Sequence, residues 1–260
     1  MFGFRRRRRD PAPVPVSGRA SVLLQALDAL EPPVDTPRRY HETDSGRIPD
    51  DVFKDIAAIV GKTDWRIYKC ISIIETANDA ISAETQAPLA RQEAHYARRG
   101  RPQWGRNHPV YQRMATWKNP STQAARRKAY DEFYGYEPLL TVQCHSETFA
   151  QIMGKWIVSE SSDDIPTFMF SQPDAYRKEI ETLDGQVRVY RHFVMNTPAL
   201  WGAMRFLSSS ISGDTVRDPA GFKKAVHQIA SNYNGPNYKV NDWDNKLIRG
   251  LLRHGIRTSG

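Results

Sequence analysis

Apolar residues recur along most of this chain at intervals of three and four, which is the period of an amphipathic helix. The first clear stripe begins after Pro49, has Asp50 and Asp51 in its first turn, and ends before Gly61. These are signals of a complete helix, because proline and acidic residues favour helix starts. A second stripe begins at Asp64 and is apolar on most of its sides, which is typical of a helix inside a domain.

The same period predicts further helices over 108–117, 121–134, 145–158, 171–184, 186–209, 219–232 and 241–253. The segment 79–100 is ambiguous, because 89–99 fits a strand as well as a helix. Alternation of apolar and polar residues, the strand period, is otherwise scarce. The sequence therefore predicts a mainly α fold with a small β region.

Residues 1–46 have a different character. Five consecutive arginines at 5–9 precede closely spaced prolines, which favour an extended chain. One short amphipathic helix is predicted over 22–30, followed by a proline-rich linker. The expected organisation is a basic tail over 1–46, acting as a linker or anchor, and one folded domain over 47–260.

Composition narrows the function classes. Hydrophobic residues at 40% and charged residues at 25% exclude a wholly disordered chain and argue against a membrane protein. No apolar run approaches the roughly 20 residues of a membrane-spanning helix, and the N-terminus lacks the apolar core of a standard signal peptide. The net charge of +8 favours polyanionic partners, such as nucleic acid or cell-wall polymers, without choosing among them.

The two cysteines, Cys70 and Cys144, have no zinc-binding or redox spacing. We expect two reduced, buried thiols. No metal site or cofactor is expected.

The first candidate for chemistry is Glu75, which follows Ile73 and Ile74 near the end of the second helix. An ionised carboxylate is costly to bury, so such a group either pairs with a cation or has a raised pKa. A raised pKa suits a proton donor to a glycosidic bond. The alternative is an exposed or arginine-paired glutamate at a helix end.

The second candidate is Gln151, in an apolar stretch that closes at Gly154. A buried amide needs hydrogen-bond partners, and a sugar could supply them. The alternative is a helix that buries Phe149, Ile152 and Met153 and ends at Gly154.

The third candidate is the segment 233–238, in which a predicted helix runs into a glycine and a proline. Tyr233 and Tyr238 offer flat faces with hydroxyl groups, and Asn234 and Asn237 offer donors and acceptors. Sugars are bound by this mixture of groups. The alternative is an ordinary helix-ending turn.

Together with Glu93-Ala94-His95 and the run 222–247, these segments resemble the N-acetylmuramidase domain of bacteriophage lysins. That domain is similar to the wider group of lysozymes and lytic transglycosylases, and the likeness covers about residues 50 to 255. The resemblance implies a lysozyme-like α+β fold, with Glu75 as general acid. It also implies a glycan cleft lined by Gln151, Tyr233, Asn234 and, in the same loop, Tyr238.

Two further carboxylates enter through the resemblance. Glu93 falls on an acidic family position and is the candidate second catalytic residue, while Glu147 is an outside candidate. The chain departs from the family at two places: Thr76-Ala77 replaces the usual Ser-Gly, and Glu147-Thr148 replaces the usual Trp-Gly. These changes leave room for altered specificity or for binding without efficient cleavage.

The expected function is hydrolysis of peptidoglycan at the β-1,4 bond between N-acetylmuramic acid and N-acetylglucosamine. The alternative is a virion structural or hub protein that binds glycan without cutting it well. Expected partners are peptidoglycan strands and, through 1–46, other phage virion proteins in the tail or particle interior. Nucleic acid is the least favoured partner. The expected location is the phage virion, or the host cytoplasm before release, with action on the bacterial cell wall.

Overall fold

The computed structural model describes residues 47–99, 108–159 and 168–258. Within these ranges the chain is mainly helical with two small sheets, which confirms the expected fold class. The tail and its predicted helix over 22–30 lie outside the described residues. No helix in the described ranges is long and apolar enough to cross a membrane.

The helices, in chain order, are α1 (Asp50–Val60), α2 (Trp65–Thr76), α3 (Ala94–Arg99), α4 (Pro109–Thr116), α5 (Gln123–Tyr136), α6 (Pro138–Cys144), α7 (Pro173–Glu179), α8 (Leu183–Met195), α9 (Pro198–Ser209), α10 (Pro219–Asn234) and α11 (Trp243–Arg253). The strands are β1 (Ala90–Gln92), β2 (His145–Glu147), β3 (Ile152–Met153), β4 (Ile211–Ser212), β5 (Thr215–Val216) and β6 (Arg257–Thr258). Short 3₁₀ helices cover Gly154–Trp156 and Tyr238–Asn241.

Helix α2 buries Ile67, Tyr68, Cys70 and Ile71, as its apolar sides predict. Its first turn is capped by Asp64, whose side chain accepts a hydrogen bond from the Arg66 amide. Helices α1 and α11 pack against α2. At Gly250 of α11 an added Cβ would lie only 3.0 Å from the Cys70 sulfur of α2. This close approach brings the start of α11 to the end of α2.

The hydrophobic core has two parts. A large cluster joins α1, α2 and α8–α11 with the inner face of the first sheet. A small cluster joins α3–α6 and includes Ala97, Met114, Phe133 and Cys144. Both cysteines are free and buried, with Cys70 in the large cluster and Cys144 in the small one.

The predicted helix over 145–158 is wrong. The segment forms β2, a turn, β3 and the 3₁₀ helix Gly154–Trp156. Its apolar residues are buried by the surrounding helices, so their density mimics a buried helix. Thr148 and Gln151 have positive φ angles of 72° and 47°, which no α-helix contains.

Two other predicted boundaries also change. The predicted helix over 186–209 is two helices, α8 and α9, because Pro198 starts a new helix after Thr197. The ambiguous segment 79–100 contains both candidates, since β1 is followed directly by α3.

The first sheet has the order β1-β2-β3, with both pairs antiparallel. Its inner face carries Ala90, Glu147 and Ile152, which are aligned across the strands and buried. Arg91, Ser146 and Met153 are aligned on the opposite face. Arg91 is exposed there, so this outer face is the polar one.

Candidate functional site

Glu75 lies in the last turn of α2 and is partly exposed. Its Oε1 accepts a hydrogen bond of 2.7 Å from the indole Nε1 of Trp243. Trp243 is the first residue of α11 and is only 2% exposed, so the packing of α11 on α2 fixes the position of this donor. The carboxyl group is therefore held by one oxygen.

Burial raises the pKa of Glu75 above its ordinary value. The hydrogen bond from Trp243 and the positive charges of Arg91 and Lys246 act in the opposite direction, and the negative charge of Glu93 adds to the rise. The net direction is upward. Glu75 is thus poised to keep its proton at a higher pH than an exposed glutamate.

Tyr233 connects the end of α10 to the same place. Its ring stacks on Trp243, with ring centroids 5.5 Å apart, and its hydroxyl donates a hydrogen bond to the carbonyl of Ala150. The hydroxyl of Thr76 donates to the neighbouring carbonyl of Phe149 at 2.9 Å. The end of α2, α10 and the turn between β2 and β3 are thereby joined.

Gln151 finds its partners within the protein. Its Nε2 donates to the carbonyls of Leu89 and Thr148, at 3.2 and 3.1 Å, and its Oε1 accepts from the Ser146 hydroxyl at 3.2 Å. These bonds hold the amide beside the outer face of the first sheet.

Glu93 follows β1 directly and takes part in two charged contacts. Its Oε1 lies 3.1 Å from Arg91 Nε, and its Oε2 lies 3.7 Å from His95 Nδ1. Its negative charge makes the smallest of the contributions that shift the pKa of Glu75, and it acts upward.

Asn234 and Tyr238 lie at the other end of the candidate loop. Asn234 is the exposed last residue of α10. The Tyr238 hydroxyl lies 3.4 Å from His227 Nδ1, and that nitrogen lies 2.9 Å from a carboxylate oxygen of Asp244. The structure therefore brings Glu75, Tyr233 and the Gln151 turn together, whereas Tyr238 contacts His227.

Trp243 is the site residue that sequence reasoning missed. Its only sequence signal is its place in the last part of the family resemblance, at the start of an amphipathic helix. The indole contacts both Glu75 and Tyr233, so it joins two residues that the sequence did single out.

The two positions at which the sequence resemblance leads one to expect glycine both have left-handed backbone conformations. Ala77, the residue that ends α2, has a φ of 59°, and Thr148 has a φ of 72°. Glycine adopts this region without strain, while a β-branched residue does so rarely. Alanine and threonine therefore occupy backbone positions that suit glycine.

Glu147 is a second carboxyl group with a strongly altered environment. It points to the core from β2 and is 0% exposed, with the hydroxyl of Tyr130 at 3.4 Å from Oε2 and Tyr176 nearby. Burial raises the pKa of Glu147 to about 7. Because Glu147 does not reach the surface, it cannot touch a substrate, which excludes it as a catalytic residue.

Two surface hollows lie elsewhere. The first, of about 690 Å³, is lined by residues of α9 and the α1–α2 connection, and the second by residues of α10, and neither includes Glu75. In the part of the chain that the structure describes, no group of three or more His, Cys, Asp and Glu side chains could hold a metal ion.

Searches of protein-family models and of curated proteins return no match for this chain. Among solved structures, the chain is similar to the crystal structure of a Burkholderia AP3 phage endolysin, with a TM-score of 0.59 and 16% sequence identity. The match covers 82% of this chain and 73% of the endolysin chain. At this identity the match shows a shared fold, in agreement with the lysozyme-like α+β class expected from the sequence.

Proposed function

We propose that this protein is a peptidoglycan-lytic glycosidase that cuts the β-1,4 bond between N-acetylmuramic acid and N-acetylglucosamine. The observation that carries the proposal is Glu75, a partly exposed carboxyl group with a raised pKa, beside the polar face of a small sheet. Its fold similarity to a phage endolysin supports the same substrate class.

The hydrogen bond from Trp243 assigns different roles to the two oxygens of Glu75. An indole N–H can only donate, so Oε1 is the acceptor, and Oε2 would be the oxygen that carries the acidic proton. Oε2 would then donate this proton to the glycosidic oxygen as positive charge develops on the sugar. Trp243 is in this scheme a positioning residue.

Glu93 is the proposed second carboxylate. It is partly exposed, follows the edge strand β1, and its charge is felt at Glu75. A second acidic group serves either as nucleophile or as the base that activates water in glycoside hydrolysis. Tyr233 and Asn234 would contribute an aromatic ring and an amide to the glycan surface, with Gln151 shaping it from the sheet.

The bond assignment is tested by the masses of soluble fragments released from purified peptidoglycan. Cleavage at the proposed bond leaves N-acetylmuramic acid at the new end, either as a reducing sugar or as its anhydro form. Fragments with N-acetylglucosamine at the reducing end, or cleavage confined to the peptide stems, would contradict the proposal.

Replacing Trp243 with Phe should lower kcat by about tenfold and shift the alkaline limb of the pH–rate profile to higher pH. The orienting donor is lost, so Glu75 is less well placed. The donor also lowers the pKa of Glu75, so its removal raises that pKa and the acid stays protonated to higher pH. The measurement is the rate of wall clearance across pH.

The matched control is Trp201→Phe, since the indole nitrogen of Trp201 is buried and donates no hydrogen bond in the described structure. It should leave the alkaline limb in place. An unchanged limb in the Trp243 variant would remove Trp243 from the mechanism.

A further inference from the structure

A cluster of two aromatic rings and one cation lies at one end of the first sheet. The Nζ atom of Lys155 is 3.6 Å from the ring centroid of Tyr96 and 4.3 Å from that of Trp156. We call these three residues the Lys155 cluster. Stacking of an ammonium group on two rings holds a flexible side chain in a defined place.

The topology of the sheet places this cluster at the end opposite to Glu75. Because β1 and β3 both run antiparallel to β2, they leave the sheet at the same end. Tyr96 follows β1 and Lys155 follows β3, which is why they meet. The turn that contacts the end of α2 joins β2 to β3 and therefore lies at the opposite end.

The outer face of the sheet spans the distance between the two ends. It presents Arg91, Ser146 and Met153, and the charge of Arg91 is felt at Glu75. Two strand residues and three residues of 3₁₀ helix separate Gln151 from the end of the cluster, a length on the order of 12 Å. A polymer lying across this face from Glu75 would pass Glu93, which follows β1, before it reached the Lys155 cluster.

Two groups of the Lys155 cluster, the Trp156 ring and the Lys155 ammonium group, are available to bind a ligand. Trp156 is 53% exposed, which is unusual for a residue that proteins tend to bury. Among the described residues, no carboxylate pairs with Lys155 and no acceptor takes a hydrogen bond from it. An exposed indole and an unpaired ammonium group side by side suit a ligand with a sugar ring and a carboxylate.

We propose that Tyr96, Lys155 and Trp156 form a distal subsite for the peptidoglycan strand, in which Trp156 contacts the face of a sugar ring and Lys155 binds a carboxylate of the peptide stem. The proposal rests on the proposed function, because it takes the substrate of Glu75 as its ligand. The stem is the chosen anion since it projects from the glycan strand at alternate sugars.

The test measures binding in a Glu75→Gln background, so that the ligand is not consumed. The probes are soluble glycan chains that carry peptide stems and the same chains after the stems have been removed by an amidase. Trp156→Ala should weaken the binding of both chains by about tenfold. Lys155→Met, which keeps the apolar contact with the rings, should weaken only the stem-bearing chain, by about threefold.

The matched control is Lys54→Met. Lys54 also lies over an indole, with its Nζ atom 5.7 Å from the ring of Trp65, but on α1 and α2 rather than at the sheet. The Lys54→Met variant should bind both glycan chains with the same affinity as the Glu75→Gln protein from which it is made. Circular dichroism confirms that each variant is folded.

Three results would overturn the subsite. These are unchanged affinity of Trp156→Ala for both chains, an equal loss on both chains for Lys155→Met, and no binding of either chain by the Glu75→Gln protein. A Glu75→Gln protein that still digests walls instead refutes the general acid. In that case the same variants are compared by KM for stem-bearing walls, and the subsite is judged separately.

Discussion

Replacing Glu75 with Gln is expected to slow the clearing of purified cell walls by at least about 100-fold, the lower end of what a general acid contributes. Glutamine keeps the size of the side chain and an oxygen that can accept the hydrogen bond from Trp243. It lacks the proton that the glycosidic oxygen must receive. The measurement is the loss of turbidity of a wall suspension, with circular dichroism to show that the fold is retained.

Two further glutamates complete this experiment. Glu132→Gln is the matched control, because Glu132 is exposed on α5 and pairs with Arg113 away from the first sheet. Glu93→Gln should reduce activity as strongly as Glu75→Gln if it is nucleophile or base. A loss below tenfold for Glu75→Gln would contradict the mechanism, and a wild-type protein that binds walls without clearing them would favour the glycan-binding alternative.

Replacing Glu147 with Gln is expected to stabilise the protein relative to wild type as the pH rises. The difference in the free energy of unfolding between variant and wild type should be about 3 kcal/mol more favourable to the variant at neutral pH than at pH 4.5. The folded state raises the pKa of Glu147 from its ordinary 4.5 to about 7. Between these values the folded protein binds more protons than the unfolded chain, so the contribution of Glu147 to stability falls as pH rises. Glutamine is neutral throughout and does not undergo this loss.

The measurement is the free energy of unfolding in urea at several pH values between 4.5 and 8 for both proteins. The difference between variant and wild type should grow with pH and level off above about 7. The exposed Glu132→Gln variant should give a difference that does not change in this way. Parallel curves for Glu147→Gln and wild type would show that the carboxyl group is not buried as described.

The helices were predictable where one face is buried and the other is exposed, because that pattern has a single explanation. Helix α11 is such a case. The segment 145–158 was not, since burial on all sides removes the periodicity that separates strand from helix. Its turn gives no signal either, because Thr148 and Gln151 occupy positive φ positions where glycine or asparagine would be expected.

The candidate site was predictable in part for a similar reason. Glu75 stands out because a carboxylate in an apolar helix needs an explanation, and Tyr233 stands out beside a glycine and a proline. Trp243 could not be assigned, since its role depends on the packing of α11 against α2, which no local pattern encodes. The same holds for the contact of Tyr238 with His227.

Alkylation of the two buried thiols can report where and when the protein opens. Burial raises the pKa of Cys70 and of Cys144 to about 12, and alkylating reagents require an accessible thiolate. Each cysteine can therefore be modified only when its own surroundings open. The rate at which Cys70 is modified reports the separation of α11 from α2, and the packing of these two helices holds Trp243 against Glu75. The rate at which Cys144 is modified reports the opening of the small cluster. The order of the two reactions therefore gives the order in which the two parts of the core come apart.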